Sequence, residues 1–106
     1  MKVLIAGCGD LGTALGLDLA AKGDEVYGLR RNPERLPAAI RPLAADLADP
    51  LTLAALPQVD AVVYAAAADR STDEAYRRAY VDGLRNLLTA PAIRRHPPQR
   101  IVFVSS

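Results

Sequence analysis

Residues 2–12 read KVLIAGCGDLG, and the fold is decided in that stretch. A short apolar run (Val3, Leu4, Ile5, Ala6) meets Gly7-Cys8-Gly9-Asp10-Leu11-Gly12, and an apolar-periodic segment over residues 11–21 follows at once. Strand, glycine turn and helix in that order are the context in which G-x-G-x-x-G marks a phosphate-binding turn rather than a chance spacing. Each glycine has a mechanical task. Gly7 permits the tight turn, Gly9 lets the backbone come close to a pyrophosphate, and Gly12 lets the helix lie close to the strand. The unpaired amides and the positive dipole end of the new helix then face the phosphates.

Working outward, apolar runs alternate with helix-like stretches. The pattern predicts strands over 2–6, 25–29, 42–44, 61–65 and 100–105, and helices over 11–22, 33–36, 51–56 and 73–90. Val62-Val63-Tyr64 and Ile101-Val102-Phe103-Val104 are unbroken apolar runs, the pattern of parallel strands buried on both faces. Gly23 follows Lys22 as a helix-ending residue does. Asn32-Pro33 and Asp49-Pro50 each pair an N-cap with proline at the first helical position. Ser71-x-x-Glu74 reads as a capping box opening the longest helix. There Tyr76, Tyr80, Leu84, Leu87 and Leu88 recur at three- and four-residue steps, a stripe expected to face the core. Residues 91–99 hold three prolines and Arg94-Arg95-His96 and read as a connecting loop. Strand–helix–strand repetition with right-handed crossovers gives an α/β fold, a Rossmann-type doubly wound parallel sheet in the order 3-2-1-4-5. Its crevice lies where the order reverses, between the first and fourth strands.

Composition narrows the class. The 106 residues are 51% apolar, enough for one core and one domain. No apolar run approaches the roughly 20 residues of a membrane span, and the opening MKVLIAG does not read as a signal peptide. Thirteen Lys and Arg against twelve Asp and Glu leave no basic stripe for nucleic acid. One cysteine and one histidine give neither an internal disulfide nor a metal cluster, and the cysteine usage suits the cytoplasm.

Several residues stand where ligand chemistry is expected. Arg30, eighteen positions after Gly12 (30 − 12), occupies the place where NAD sites carry an acidic residue about 20 residues past the glycines. A carboxylate there would repel a 2′-phosphate, whereas a guanidinium pairs with it. This points to NADP, with NAD as the alternative and a solvated pair, Arg30-Arg31, as the plain reading. Asp46, after the third strand, is placed to accept a hydrogen bond from the adenine amino group, with Leu47 against the ring; a capping or solvated Asp46 fits the spacing equally. Ala65-Ala66-Ala67 leave room at the switch point for a flat ligand, or simply pack closely. Ser105 and Ser106 end the fifth strand, where a hydroxyl meets substrate, or are inert. Cys8 is either an oxidisable thiol facing phosphate or a residue small enough to fit the turn. His96 has no partner in the pattern and reads as exposed.

Taken together, IAGCGDLG, GDEVYGLRR, AADLADP, VDAVVYAAAA, YVDGLRNLL and RIVFVSS resemble the extended short-chain dehydrogenase/reductase family, the NAD(P)-dependent epimerase/dehydratase group. They occur in the family's order and cover essentially the whole chain. The resemblance implies that the turn Gly7, Gly9, Asp10, Leu11 and Gly12 holds the pyrophosphate. It implies that Arg30 and Arg31 lie near the adenosine ribose, Asp46 and Leu47 near adenine, and Ala65, Ala66 and Ala67 near the nicotinamide-side ribose. Ser106 resembles the family's catalytic Ser/Thr. G-x-G-x-x-G in place of the commoner G-x-x-G-x-x-G resembles an atypical branch, and Tyr80 stands where many members have an active-site Asn.

The family's Tyr-x-x-x-Lys pair does not occur here. The expectation is therefore an N-terminal NAD(P)-binding part, residues 1–106, truncated after the fifth strand and without the lobe that recognises a small-molecule, nucleotide-sugar-like substrate. Such a chain binds a dinucleotide without turnover. The alternative of another class is a non-catalytic NADP-sensing or scaffold module. An apolar fifth strand without a neighbour beyond it further predicts self-association.

Overall fold

Five parallel strands form one sheet: β1 (Lys2–Ala6), β2 (Glu25–Arg30), β3 (Ile40–Ala44), β4 (Ala61–Tyr64) and β5 (Arg100–Phe103), in the order β3-β2-β1-β4-β5. The computed structural model describes residues 1–66 and 72–104. The expected 3-2-1-4-5 order holds, and β1 at the centre explains why. Its residues alternate between two cores. Leu4 and Ala6 join Leu29, Leu53, Val62, Leu87 and Ile93 on one face. Val3 and Ile5 join Cys8, Val26, Ile40 and Val63 on the other. A strand covered on both sides accommodates such an unbroken apolar run.

Helix α1 (Asp10–Ala21) covers the second face. Its buried residues are Gly12 and Gly16. A Cβ on Gly16 would come within 2.8 Å of Ile40 Cδ1 and 3.0 Å of Ile5 Cδ1, so the helix lies close to the sheet because it has no side chain there. It ends in a Schellman turn: Gly23 N–H donates to Ala20 O (3.0 Å), Asp24 N–H donates to Leu19 O (3.1 Å), and Gly23 takes φ +97°.

The other face is covered by residues 73–88 and by α4 (Pro91–Arg95). The 73–88 segment is α2 (Asp73–Tyr76), a π-helical stretch Arg77–Asp82, and α3 (Gly83–Leu88). The two remaining crossovers carry only 3₁₀ turns, Pro33–Arg35 and Pro50–Leu53.

Several expectations are corrected. The loop expected over 91–99 contains α4; Pro91 sits at its first position, where proline is favourable, and Ile93 is buried. The expected core stripe splits: Leu87 is buried and Leu84 half-buried, but Tyr76, Tyr80 and Leu88 are exposed. The π turn adds a residue to one turn and rotates what precedes it off the 3.6-residue stripe. Thr72 caps this helix, its hydroxyl accepting from Ala75 N–H (3.1 Å); Ser71 lies outside the described residues. Asp49 caps as expected, accepting from Leu51 N–H, whereas Asn32 makes no side-chain cap bond. β3 starts two residues earlier than expected, and as an outer strand it accommodates Pro42. β5 is exposed along its length despite its unbroken apolar run, because it is the sheet's other outer strand.

Candidate functional site: a cleft at the glycine turn

The ends of β1 and β4 lie side by side, with Ala6 paired to Tyr64. The chain leaves β1 through a turn fixed by two amides: Gly7 N–H and Cys8 N–H both donate to Leu29 O, at 3.0 and 2.9 Å. Gly7 takes φ +84°, and a Cβ on it would lie 2.5 Å from Ala66 Cα. Gly7 therefore meets two demands at once, a left-handed backbone and close contact with the segment leaving β4. A Cβ on Gly12 would meet Ile5 Cγ2 at 3.0 Å and Gly7 O at 3.3 Å, so its task is close helix–strand packing.

Gly9 differs from both. It precedes α1 as the N-cap in extended conformation, and nothing lies within 4 Å of where its Cβ would be. It supplies no side-chain cap. The first intrahelical bond runs from Thr13 N–H to Gly9 O (2.8 Å), so the amides of Asp10, Leu11 and Gly12 precede the helical ladder. The helix thus begins with donors that no side chain caps, next to open space. That arrangement suits an anion with several acceptor oxygens.

A cavity of about 700 Å³ opens there. It is lined by Gly7 and Gly9, by Arg30 and Arg31 at the end of β2, by Asp46 and Leu47 after β3, and by Ala65 and Ala66 after β4. These eight positions, scattered in sequence, come together. Asp10 and Leu11 head α1, exposed, and do not line the cavity; Gly12 is buried beneath it. Ala67, Ser105 and Ser106 lie outside the described residues. Arg30 Nη1 donates to Cys8 O at 3.4 Å, which ties the guanidinium to the rim of the glycine turn. Asp46 is fixed by its own loop: its Oδ1 accepts from Ala48 N–H (2.9 Å), and its N–H donates to Thr52 Oγ1 (2.9 Å).

Cys8 is fully buried, and burial pushes its thiol up from the ordinary range despite the Thr13 hydroxyl and the Arg30 charge. Its sulfur fills the space that Gly12 and Gly28 leave open, so it acts as a small packing residue. His96 is exposed. Tyr80 does not line the cavity; it stacks on Tyr76 with centroids 5.7 Å apart. On the far lip, Thr72, Glu74 and Arg78 line the cavity, with Arg78 Nη2 donating to Glu74 Oε1 at 3.1 Å. In the sequence these residues look like helix-start chemistry. Nothing in the sequence pattern signalled that they also line the cleft.

The model of a family described as NAD(P)H-binding matches residues 7–106. The chain belongs to this NAD(P)H-binding family. Solved structures similar to this NAD(P)H-binding chain point the same way. A Methylobacillus flagellatus protein assigned as an NAD-dependent epimerase/dehydratase is 43% identical, with a TM-score of 0.77 over 99% of this chain and 37% of that one. The Bordetella bronchiseptica enzyme WbmH, solved with NAD+, is 27% identical, with a TM-score of 0.75 over 94% of this chain and 37% of that one. A short-chain dehydrogenase/reductase superfamily protein from Agrobacterium tumefaciens, solved with NAD, is 28% identical, with a TM-score of 0.76 over 100% of this chain and 33% of that one. The NAD(P)H-binding chain therefore spans about a third of the length of these structures. No curated protein matches it. No helix among the described residues is long and apolar enough to cross a membrane.

Proposed function

We propose that residues 1–106 act as one cofactor-binding unit, preferring NADP, of an epimerase/dehydratase-type oxidoreductase that works on a nucleotide-sugar-like substrate. The observation that carries this is the start of α1: three amides ahead of the helical ladder, no cap side chain, and open space at Gly9. The pyrophosphate accepts hydrogen bonds from those amides. Arg30 and Arg31 pair with the 2′-phosphate, Asp46 accepts from the adenine amino group, and Leu47 lies against the ring. Ala65, Ala66 and Ala67 leave room beside the nicotinamide ribose. Ser106 donates to a substrate oxygen that gains charge. Reduced, buried Cys8 fits a cytoplasmic setting.

Hydride exchange is the chemistry the nicotinamide supplies when bound. The chain's own part is to bind and orient. No Tyr-x-x-x-Lys pair occurs in these residues to hand over a proton, so by themselves they bind cofactor without turnover. Calorimetric titration with NADP and NAD tests the preference: NADP binds more tightly, and Arg30→Asp reverses the order. Equal or tighter binding of NAD by the unaltered protein contradicts it. Sustained NADPH oxidation with a sugar nucleotide contradicts the absence of turnover.

The proposal includes self-association. Ile101, Val102 and Phe103 are 37%, 48% and 62% exposed along an outer strand. Such an edge pairs with a second copy. Light scattering is expected to show mass rising with concentration; a clean monomer throughout contradicts it.

A further inference from the structure

The loop after β3 carries both groups assigned to adenine, and most of its side-chain hydrogen bonds stay within it. Thr52 Oγ1 accepts from Asp46 N–H and lies 2.9 and 2.7 Å from the carbonyl oxygens of Asp46 and Asp49. Asp46 Oδ1 accepts from Ala48 N–H, and Asp49 Oδ1 accepts from Leu51 N–H. These bonds fix the loop's internal shape but not where that shape sits on the cleft wall. Asn86 reaches in from a different element. From α3, thirty-nine residues along the chain, its half-buried side-chain Nδ2 donates to Leu47 O at 2.7 Å.

That reach depends on Gly83, one turn earlier on the same helix face. A Cβ on Gly83 would stand 2.6 Å from Tyr64 Oη and 3.4 Å from Leu47 Cβ. Without one, α3 settles onto the end of β4 and against Leu47. The π turn closes here, with Gly83 N–H donating to Arg78 O. Gly83 thus sets the approach, and Asn86 makes the tie.

We propose that Asn86 is a positioning residue for base recognition: it anchors the Leu47 carbonyl so that the Asp46 carboxylate and the Leu47 side chain are held where a 6-aminopurine is read. Asn86 need not touch the ligand. The inference rests on the dinucleotide reading above, and its test separates the two. The probes are NADP and its hypoxanthine analogue, in which an oxo group replaces the 6-amino group.

The unaltered protein is expected to bind NADP more tightly than the analogue. In Asn86→Ala the NADP affinity falls about tenfold while that for the analogue changes little, so the preference disappears, the scale being that of one hydrogen bond. Asn86→Asp keeps the shape but sets a carboxylate against the Leu47 carbonyl, and is expected to lose the preference as well. A generally weakened fold would lower both affinities together and leave their ratio intact. If neither variant folds, the unaltered protein decides by NMR: the Asn86 side-chain amide and the Leu47 and Ala48 backbone amides shift more with NADP than with the analogue. Retention of the preference in both variants, equal binding of the two ligands by the unaltered protein, or equal shifts each overturn the role of Asn86. Binding of neither ligand overturns the dinucleotide reading itself.

Discussion

Gly7 and Gly9 are two positions apart and serve different ends. Gly7 is required by the fold, through its φ of +84° and because a Cβ there would stand 2.5 Å from Ala66 Cα. Gly9, at φ −85° and with nothing within 4 Å of where its Cβ would stand, is not. Gly7→Ala is expected to destabilise the protein by about 3 kcal/mol, combining backbone strain with overpacking. Gly9→Ala is expected to destabilise by no more than about 1 kcal/mol, the scale of losing a favourable N-cap residue, yet to weaken dinucleotide binding about tenfold or more by filling the phosphate's place. Thermal melts with parallel titrations check both; equal stability of the two variants contradicts the assignment. The turn at Gly7 and the close helix–strand packing at Gly12 were legible in the sequence because each follows from the strand–turn–helix context. The tie from Arg30 to Cys8 O was not, since a spacing argument places a guanidinium near a ribose without showing what holds it.

Among the elements, the central strands were read nearly to the residue, because a run covered on both faces has no alternation to confuse it. The helix after β4 was read with the wrong face. Periodicity assumes 3.6 residues per turn throughout, and the π stretch Arg77–Asp82 breaks that assumption. The segment after it was misread for a related reason: prolines were taken as breakers, although Pro91 stands at the one helical position that favours it. Leu87 and Leu88 test the corrected face. Leu87→Ala, at a fully buried side chain, is expected to cost about 2–5 kcal/mol. Leu88→Ala, at a residue 39% exposed, is expected to cost less than about 1 kcal/mol. Denaturant unfolding of the two variants measures this, and comparable large costs at both positions would restore the uninterrupted stripe.

At the scale of the whole molecule, Tyr64 lies where the sheet and the π turn meet. It ends β4 beside β1, packs its ring 6.2 Å from Phe103, and sets its hydroxyl beneath Gly83. Burial, with a smaller contribution from Tyr80, pushes its pKa up to about 12. Ionisation is therefore harder in the folded state than in the unfolded one. The stability this contributes is present in full below pH 10, and it is lost as the pH rises through about 12. Unfolding free energy is expected to fall across that window by roughly 2 kcal/mol more in the unaltered protein than in Tyr64→Phe. Parallel slopes in the two proteins contradict it. The strand order and the crevice at its reversal were legible because parallel pairing with right-handed crossovers leaves few arrangements. The far lip formed by Thr72, Glu74 and Arg78 was not, since chain topology alone does not say how near a helix passes to a cleft.

The account turns on the amides at the head of α1. Two-dimensional amide NMR of the 15N-labelled protein during titration with NADP addresses them directly. The Asp10, Leu11 and Gly12 signals are expected to move together, saturably, with the largest shifts in the spectrum, and to stay in place in Gly9→Ala at the same ligand concentrations. Saturable binding that leaves those three signals unmoved, or no binding at any concentration reached, contradicts the account.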